Sequence, residues 1–174
     1  MVIWLTGLSA SGKTTIGRRM VALWRETAPG TVLVDGDEVR RLMDAGAGGD
    51  EDAYSLPARR MVAGRIAALC GWLDGQGINV VCCTISLFGD LHALNRARFS
   101  RYFEVFIDVP IEIAEKRDPN GLYAAARRGE RRNVIGIDLP FAPPAAPDLV
   151  IDNSADCADP GVLARDILNR ALAA

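Results

Sequence analysis

Histidine, cysteine and aromatic residues are scarce, and each shortage narrows the possibilities. His92 is the only histidine among 174 residues, and Cys70, Cys82, Cys83 and Cys157 show no Cys-x-x-Cys spacing. With those ligands a zinc site is not expected, and His92 is placed near a helix surface. Neither sign of charge dominates: the net charge is −2, without the basic excess that a nucleic-acid surface requires. No apolar run exceeds the length of a strand, so no membrane span is expected. The chain enters a strand and a glycine loop at once, leaving no room for a signal peptide. The four thiols therefore read as reduced, mostly buried groups of a cytoplasmic protein. Cys82 and Cys83 are adjacent in an apolar run and should face opposite sides of a strand. Trp4, Trp24 and Trp72 fall on strand or core-helix faces and read as packing residues. There is no internal repeat or low-complexity tract, and residues 1–174 read as one domain.

What is present is sharper. Gly7-Leu8-Ser9-Ala10-Ser11-Gly12-Lys13-Thr14 fits the phosphate-binding loop pattern, followed by Thr15. Its context supports the match. Val2-Ile3-Trp4-Leu5-Thr6 before it reads as a buried strand, and Ile16, Met20, Leu23 and Trp24 after it share one helix face. Strand, glycine loop and helix N-terminus in that order make a cradle of backbone N–H groups for a nucleoside triphosphate. Lys13 is then expected at the β- and γ-phosphates, and the Thr14 hydroxyl on Mg²⁺.

Further along, Thr31-Val32-Leu33-Val34 reads as a second strand ending in Asp35-Gly36-Asp37-Glu38-Val39-Arg40-Arg41. Carboxylates at the carboxyl end of a strand lie where open α/β sheets bind ligands. Asp44 to Asp52 is a loop of glycines and acids, expected to move. Pro57 opens a long helix with Val62, Ile66, Leu69 and Leu73 on one face, stopped by Gly75 and Gly77. A third strand spans Asn79 to Ile85, with Ser86 just beyond it, and a helix through Leu91, Leu94 and Phe99 follows. The fourth strand is Phe103 to Asp108, then a short helix spans 111 to 118. Four prolines make 140 to 147 extended, Leu149 to Asp152 is the fifth strand, and Asp159-Pro160 caps a last helix with Leu163, Ile167 and Leu168 inward. Strands alternating with helices imply a parallel sheet with helices on both faces.

Phosphoryl transfer needs a cradle, a metal, a group that orients the nucleophile, and positive charge over the transferring group. Asp37 is the candidate for deprotonating an acceptor hydroxyl, with helix capping as its alternative; Asp35 is the candidate Mg²⁺-water ligand or a structural partner. Arg40, one helical turn on, could hold an anionic substrate group or lie solvated on the surface. Residues 117 to 138 collect Arg117, Arg127, Arg128, Arg131 and Arg132 and read as a lid that keeps water from ATP.

These stretches, with Ile85-Ser86, Arg117-Asp118, Gly121-Leu122-Tyr123, Gly136-Ile137-Asp138, Pro140-Phe141 and Pro147 to Asp152, resemble the adenylylsulfate (APS) kinases over nearly the whole chain. The resemblance implies a five-stranded parallel sheet of order 2-3-1-4-5, an ATP- and Mg²⁺-dependent transfer to a ribose 3′-hydroxyl, APS becoming PAPS, and a homodimer. It implies Asp37 as base, Arg40 as substrate anchor, Arg117 and Arg128 as nucleotide and substrate contacts, and Ser86 as a hydrogen-bonding or phosphoserine residue. Direct in-line transfer needs no covalent role for Ser86.

The departures concentrate on the acceptor side. Where the family has Gly-Phe, then Arg and Asn before the long helix, this chain has the glycine and acid loop, Tyr54 and Pro57. Leu87 stands where Pro usually follows the serine, and Val134 or Ile135 where a Phe stacks on the adenine. Ala124 and Ala125 replace lysines. The Ile85-Ser86-Leu87-Phe88 turn and Asn133 to Asp138 are more similar to the branch that includes cytidine diphosphoramidate kinases, associated with capsule modification. A sugar or small-acid kinase fits the phosphate loop but not the Asp-Gly-Asp segment. A nucleotide-binding regulator without catalysis is disfavoured by intact Lys13, Thr14 and Asp37.

Overall fold

The computed structural model describes residues 1–43, 51–86, 88–155 and 159–174, so Leu87, Cys157 and most of the glycine and acid loop lie outside the described residues. Five strands, β1 (Val2–Thr6), β2 (Thr31–Asp35), β3 (Asn79–Thr84), β4 (Tyr102–Asp108) and β5 (Leu149–Asp152), form one parallel sheet of order β2-β3-β1-β4-β5. Around it lie helices α1 (Lys13–Arg25), α2 (Gly36–Met43), α3 (Leu56–Asp74), α4 (Gly89–Arg98), α5 (Ile111–Arg117), α6 (Leu122–Arg127) and α7 (Pro160–Ala173). This is the expected fold and strand order.

Side-chain alternation along the central strands divides the core between two faces. On one, Ile3, Leu5, Val81, Cys83, Val105 and Ile107 pack against Ile16, Met20 and Trp24 of α1 and Ala164, Ile167 and Leu168 of α7. On the other, Val2, Trp4, Val80 and Cys82 pack against Val62, Ile66 and Cys70 of α3. Cys82 and Cys83 thus point to opposite faces, and Cys70, Cys82 and Cys83 are buried free thiols. Burial, and next the Asp35 charge, push the Cys83 thiol far above its ordinary value, which disfavours the reactive thiolate.

Ser55 caps α3 by accepting from the Ala58 N–H, and Asp159 caps α7 by accepting from the Gly161 N–H. Two expectations need correction. Trp72 is 65 % exposed, because Val62, Ile66 and Cys70 are the positions of α3 that face the sheet and Trp72 lies off that stripe. His92 is not a surface residue: its side chain is 11 % exposed, and Nδ1 meets the carboxylate of Glu104, itself buried on β4.

Candidate active site

The phosphate loop joins the carboxyl end of β1 to the start of α1. Gly7 and Gly12 take φ of 151° and 96°, and a Cβ on Gly7 would lie 2.5 Å from the Ile107 carbonyl oxygen. Ala10 takes φ 59°, a left-handed conformation costly for a residue with a Cβ. No side chain caps α1, so its first N–H groups are left for a ligand, and the helix dipole adds positive potential there. Lys13, 8 % exposed, donates to the Leu8 carbonyl at 2.5 Å and to Ser11 Oγ at 3.3 Å. Burial lowers its pKa to about 8, against the opposing pull of Cys83, Asp37 and Asp35. The loop is a preformed anion cradle with its cation held inside it.

The acids at the end of β2 do different work. Asp35 accepts from the Thr14 hydroxyl at 2.6 Å through Oδ2, and from the N–H groups of Asp37 and Glu38 at 3.0 and 3.3 Å through Oδ1. Asp35 therefore caps α2, and Asp37 is exposed with no side-chain partner among the described residues. The capping role weighed for Asp37 belongs to Asp35. Gly36 between them packs closely on β3: a Cβ there would sit 3.0 Å from Thr84 Oγ1 and 3.2 Å from the Cys83 carbonyl.

Arg40 is half-buried rather than solvated, donating from Nη1 to the Ala53 carbonyl at 2.8 Å. Its guanidinium lies 4.9 Å from the Tyr54 ring centroid, with those of Arg59 and Arg131 at 5.3 and 5.8 Å. Ser86 lies half-buried beyond β3, where its hydroxyl accepts from the Trp4 indole at 2.7 Å and its N–H donates to Thr6 Oγ1 at 3.3 Å. Trp4 is therefore both a packing residue and the group that fixes Ser86. Trp4, Ser86, Phe88, His92 and Asn95 line one small pocket with Ala63 and Leu91.

The arginine-rich segment is anchored along its inner side. Tyr123 and Val134 are buried with Val109 and Ala114, and the Tyr123 hydroxyl donates to the Ser9 carbonyl at 3.2 Å. Ile135 is also buried, so neither Val134 nor Ile135 presents an open face of the kind expected for stacking a base. Arg117 donates to the carbonyls of Ser154 and Ala155 at 3.5 and 3.1 Å. Arg128 pairs with Glu130 at the surface and does not join Arg40. The structure brings Gly7 to Thr15, Asp35, Asp37 and Arg40 to one edge of the sheet; Leu87 lies outside the described residues.

Sequence reasoning missed Asn153, whose Nδ2 donates to the Ser11 carbonyl at 2.9 Å, and the gathering of Arg59 and Arg131 with Arg40. No local pattern marks Asn153; its contact spans 142 positions. Arg59 sits in an ordinary helical Arg-Arg pair, with nothing to distinguish it from Arg60, which pairs with Asp90.

The adenylylsulphate kinase family profile matches residues 1–152. A cytidine diphosphoramidate kinase of Campylobacter jejuni is 37 % identical over 153 residues, covering 88 % of this chain and 86 % of that one. An adenylyl-sulfate kinase of Pseudomonas aeruginosa is 37 % identical over 170 residues, 97 % and 83 % of the two chains. The structure of the Mycobacterium tuberculosis APS kinase in complex with AMPPNP and APS superposes with a TM-score of 0.84 at 30 % identity, covering 99 % and 97 % of the two chains. Shikimate kinase from Aquifex aeolicus, at 20 % identity and a TM-score of 0.57, shares the fold. With the phosphate cradle, the strand order and these likenesses in agreement, the chain belongs to the adenylylsulphate kinase family and is an ATP-dependent phosphotransferase with a hydroxyl acceptor.

Proposed function

We propose that this kinase transfers the γ-phosphoryl group of ATP to the ribose 3′-hydroxyl of a small nucleotide, with Asp37 as the base. The observation that carries this reading is the separation of roles at the end of β2. Asp35 takes up the helix cap and the Thr14 hydroxyl, leaving the Asp37 carboxylate without a side-chain partner among the described residues and within reach of the Lys13 charge. A free carboxylate at that edge can accept the hydroxyl proton as oxygen attacks phosphorus. Lys13 and the α1 N-terminus hold the phosphates, Ser86 offers its hydroxyl to the acceptor, and the arginines of 117–138 close over the reaction and exclude water.

The donor set fits Mg²⁺. Thr14 Oγ1 and Asp35 Oδ2 are hard oxygen donors 2.6 Å apart, and among the described residues no group of three His, Cys, Asp or Glu side chains forms a metal cage. Mg²⁺ in phosphoryl-transfer sites uses one or two protein oxygens and completes its shell with phosphate and water. Thr14 and, directly or through water, Asp35 would hold it, and it would neutralise charge on the β- and γ-phosphates.

Two acceptors of this class fit the reading. APS follows from the family as a whole. Cytidine diphosphoramidate, the substrate in the name of the Campylobacter jejuni relative, is favoured by one observation. Val134 and Ile135, which stand where an adenine-stacking Phe is expected, are buried aliphatic side chains, so that position offers no aromatic face to an adenine. Mass spectrometry of products from ATP and Mg²⁺, with APS in one reaction and CDP-linked acceptors in another, separates them. A 3′-phosphorylated product is expected from at least one; none from either would defeat the reading. A cytoplasmic homodimer completes the proposal, and no helix among the described residues is long and apolar enough to cross a membrane. Sedimentation at micromolar concentration tests the dimer.

A further inference from the structure

Several arginines of this protein pair with a carboxylate: Arg41, Arg60, Arg96, Arg127, Arg128 and Arg170 meet Glu38, Asp90, Asp148, Glu115, Glu130 and Asp166. Arg40, Arg59 and Arg131 have no carboxylate partner among the described residues, yet they converge on one ring, within 5.8 Å of the Tyr54 centroid. They arrive from three places: α2, the first turns of α3, and the arginine-rich segment.

Some of their donors are already engaged. Arg40 Nη1 donates to the Ala53 carbonyl, and Arg59 donates to the Tyr54 and Asn133 carbonyls at 2.9 and 2.8 Å. These bonds fix the guanidinium planes without neutralising them. Arg131 donates to no described group and is exposed. The negative face of the Tyr54 ring attracts each cation but cannot cancel three charges. Burial, and next the nearby Arg40 charge, lower the Arg59 pKa, against the opposing pull of Tyr54, Asp37 and Asp138. Asp37 is among the carboxylates whose field reaches Arg59, so the cluster lies beside the base.

We infer that Arg59 and Arg131, together with Arg40, seat the 5′ anionic bridge of the acceptor, a group with two adjacent negative centres such as a diphosphate. Tyr54 sets the spacing of the guanidinium groups and does not stack a base. Planar fork donors match the paired oxygens of such a group better than ammonium groups would. This inference rests on the ribose kinase reading for the identity of the ligand, but not for the existence of the seat.

The test uses the full chain saturated with a non-hydrolysable ATP analogue, so that the phosphate loop is filled, and titrates inorganic pyrophosphate by calorimetry. Saturable binding is expected. Arg131→Ala should weaken it by about ten-fold or more, the worth of a charge-assisted contact. Arg59→Lys keeps the charge but loses the fork, and should weaken binding while the melting temperature stays near wild type. With a nucleotide acceptor, both variants should raise its KM and leave the KM for ATP unchanged. No pyrophosphate binding to the analogue-loaded wild type, or unchanged binding in both variants, overturns the seat. Arginine-dependent pyrophosphate binding without turnover of any nucleotide acceptor would instead overturn the ribose kinase reading and leave the seat standing.

Discussion

Asn153, at the end of β5, holds the phosphate loop from outside: its Nδ2 donates to the Ser11 carbonyl at 2.9 Å, and its own N–H donates to the Asp108 carbonyl at 2.9 Å. The fit is close, since a Cβ on Gly12 would lie 2.7 Å from that same nitrogen. Asn153→Ala leaves a buried carbonyl unpaired, at a cost of about 1–3 kcal/mol. The expected result is a lower melting temperature together with weaker ATP binding in a nucleotide titration. Unchanged ATP affinity would show that the loop keeps its shape without this clamp.

Lys13 makes nucleotide binding sensitive to pH. Burial lowers its pKa in the nucleotide-free protein from 10.5 to about 8. Between those values the unfolded chain binds the proton and the folded chain does not, so stability should rise with pH across that window. Phosphate favours the charged amine, so ATP binding should take up a proton above pH 8 and weaken as pH rises, by at most about ten-fold per unit. Calorimetry in two buffers of different ionisation enthalpy measures the uptake. Lys13→Arg, which stays charged, should show none.

Asp35 and Asp37 should separate cleanly. Asp37→Asn is expected to lower turnover by about 10²–10⁴-fold, the usual worth of a general base, with ATP affinity intact. Near-normal turnover would remove Asp37 from the chemistry. Asp35→Ala should cost about 0.5–2 kcal/mol through the lost α2 cap, and should also weaken Mg²⁺-dependent ATP binding by freeing the Thr14 hydroxyl. Denaturant melts and nucleotide titrations on the two variants distinguish these outcomes.

Gly17 marks the tightest packing between α1 and the sheet. A Cβ there would sit 2.4 Å from Cys83 Sγ and 3.2 Å from Leu33 Cδ1. Gly17→Ala should therefore destabilise the fold by about 1–3 kcal/mol despite its better helix propensity. Combining it with Cys83→Ala removes the clashing sulfur and should recover part of the loss, read from the coupling in a double-mutant cycle.

Much of the fold was legible because its signals are local. Turn chemistry and apolar periodicity placed the strands, and Pro57 and the Asp159-Pro160 pair marked two helix starts. The errors came where periodicity is ambiguous. The α3 pattern continues past its buried stripe, so Trp72 looks like a core residue until the crossing of helix and sheet leaves it outside. His92 looked exposed because its partner, Glu104, lies on another element and is itself a charged residue buried on a strand.

The site divides along the same line. The phosphate loop was readable because glycine conformations and N–H direction are decided within eight consecutive residues. The sequence by itself therefore determined a triphosphate cradle on an alternating α/β chain. Tertiary structure alone decided which aspartate caps α2 and which stays free, that Arg131 rather than Arg128 meets Arg40 and Arg59, and that Asn153 braces Ser11. The physical reason is one of range. Backbone geometry answers to neighbours a few residues away, whereas a side chain's charge partner depends on strand register and on which loops the crossovers bring together.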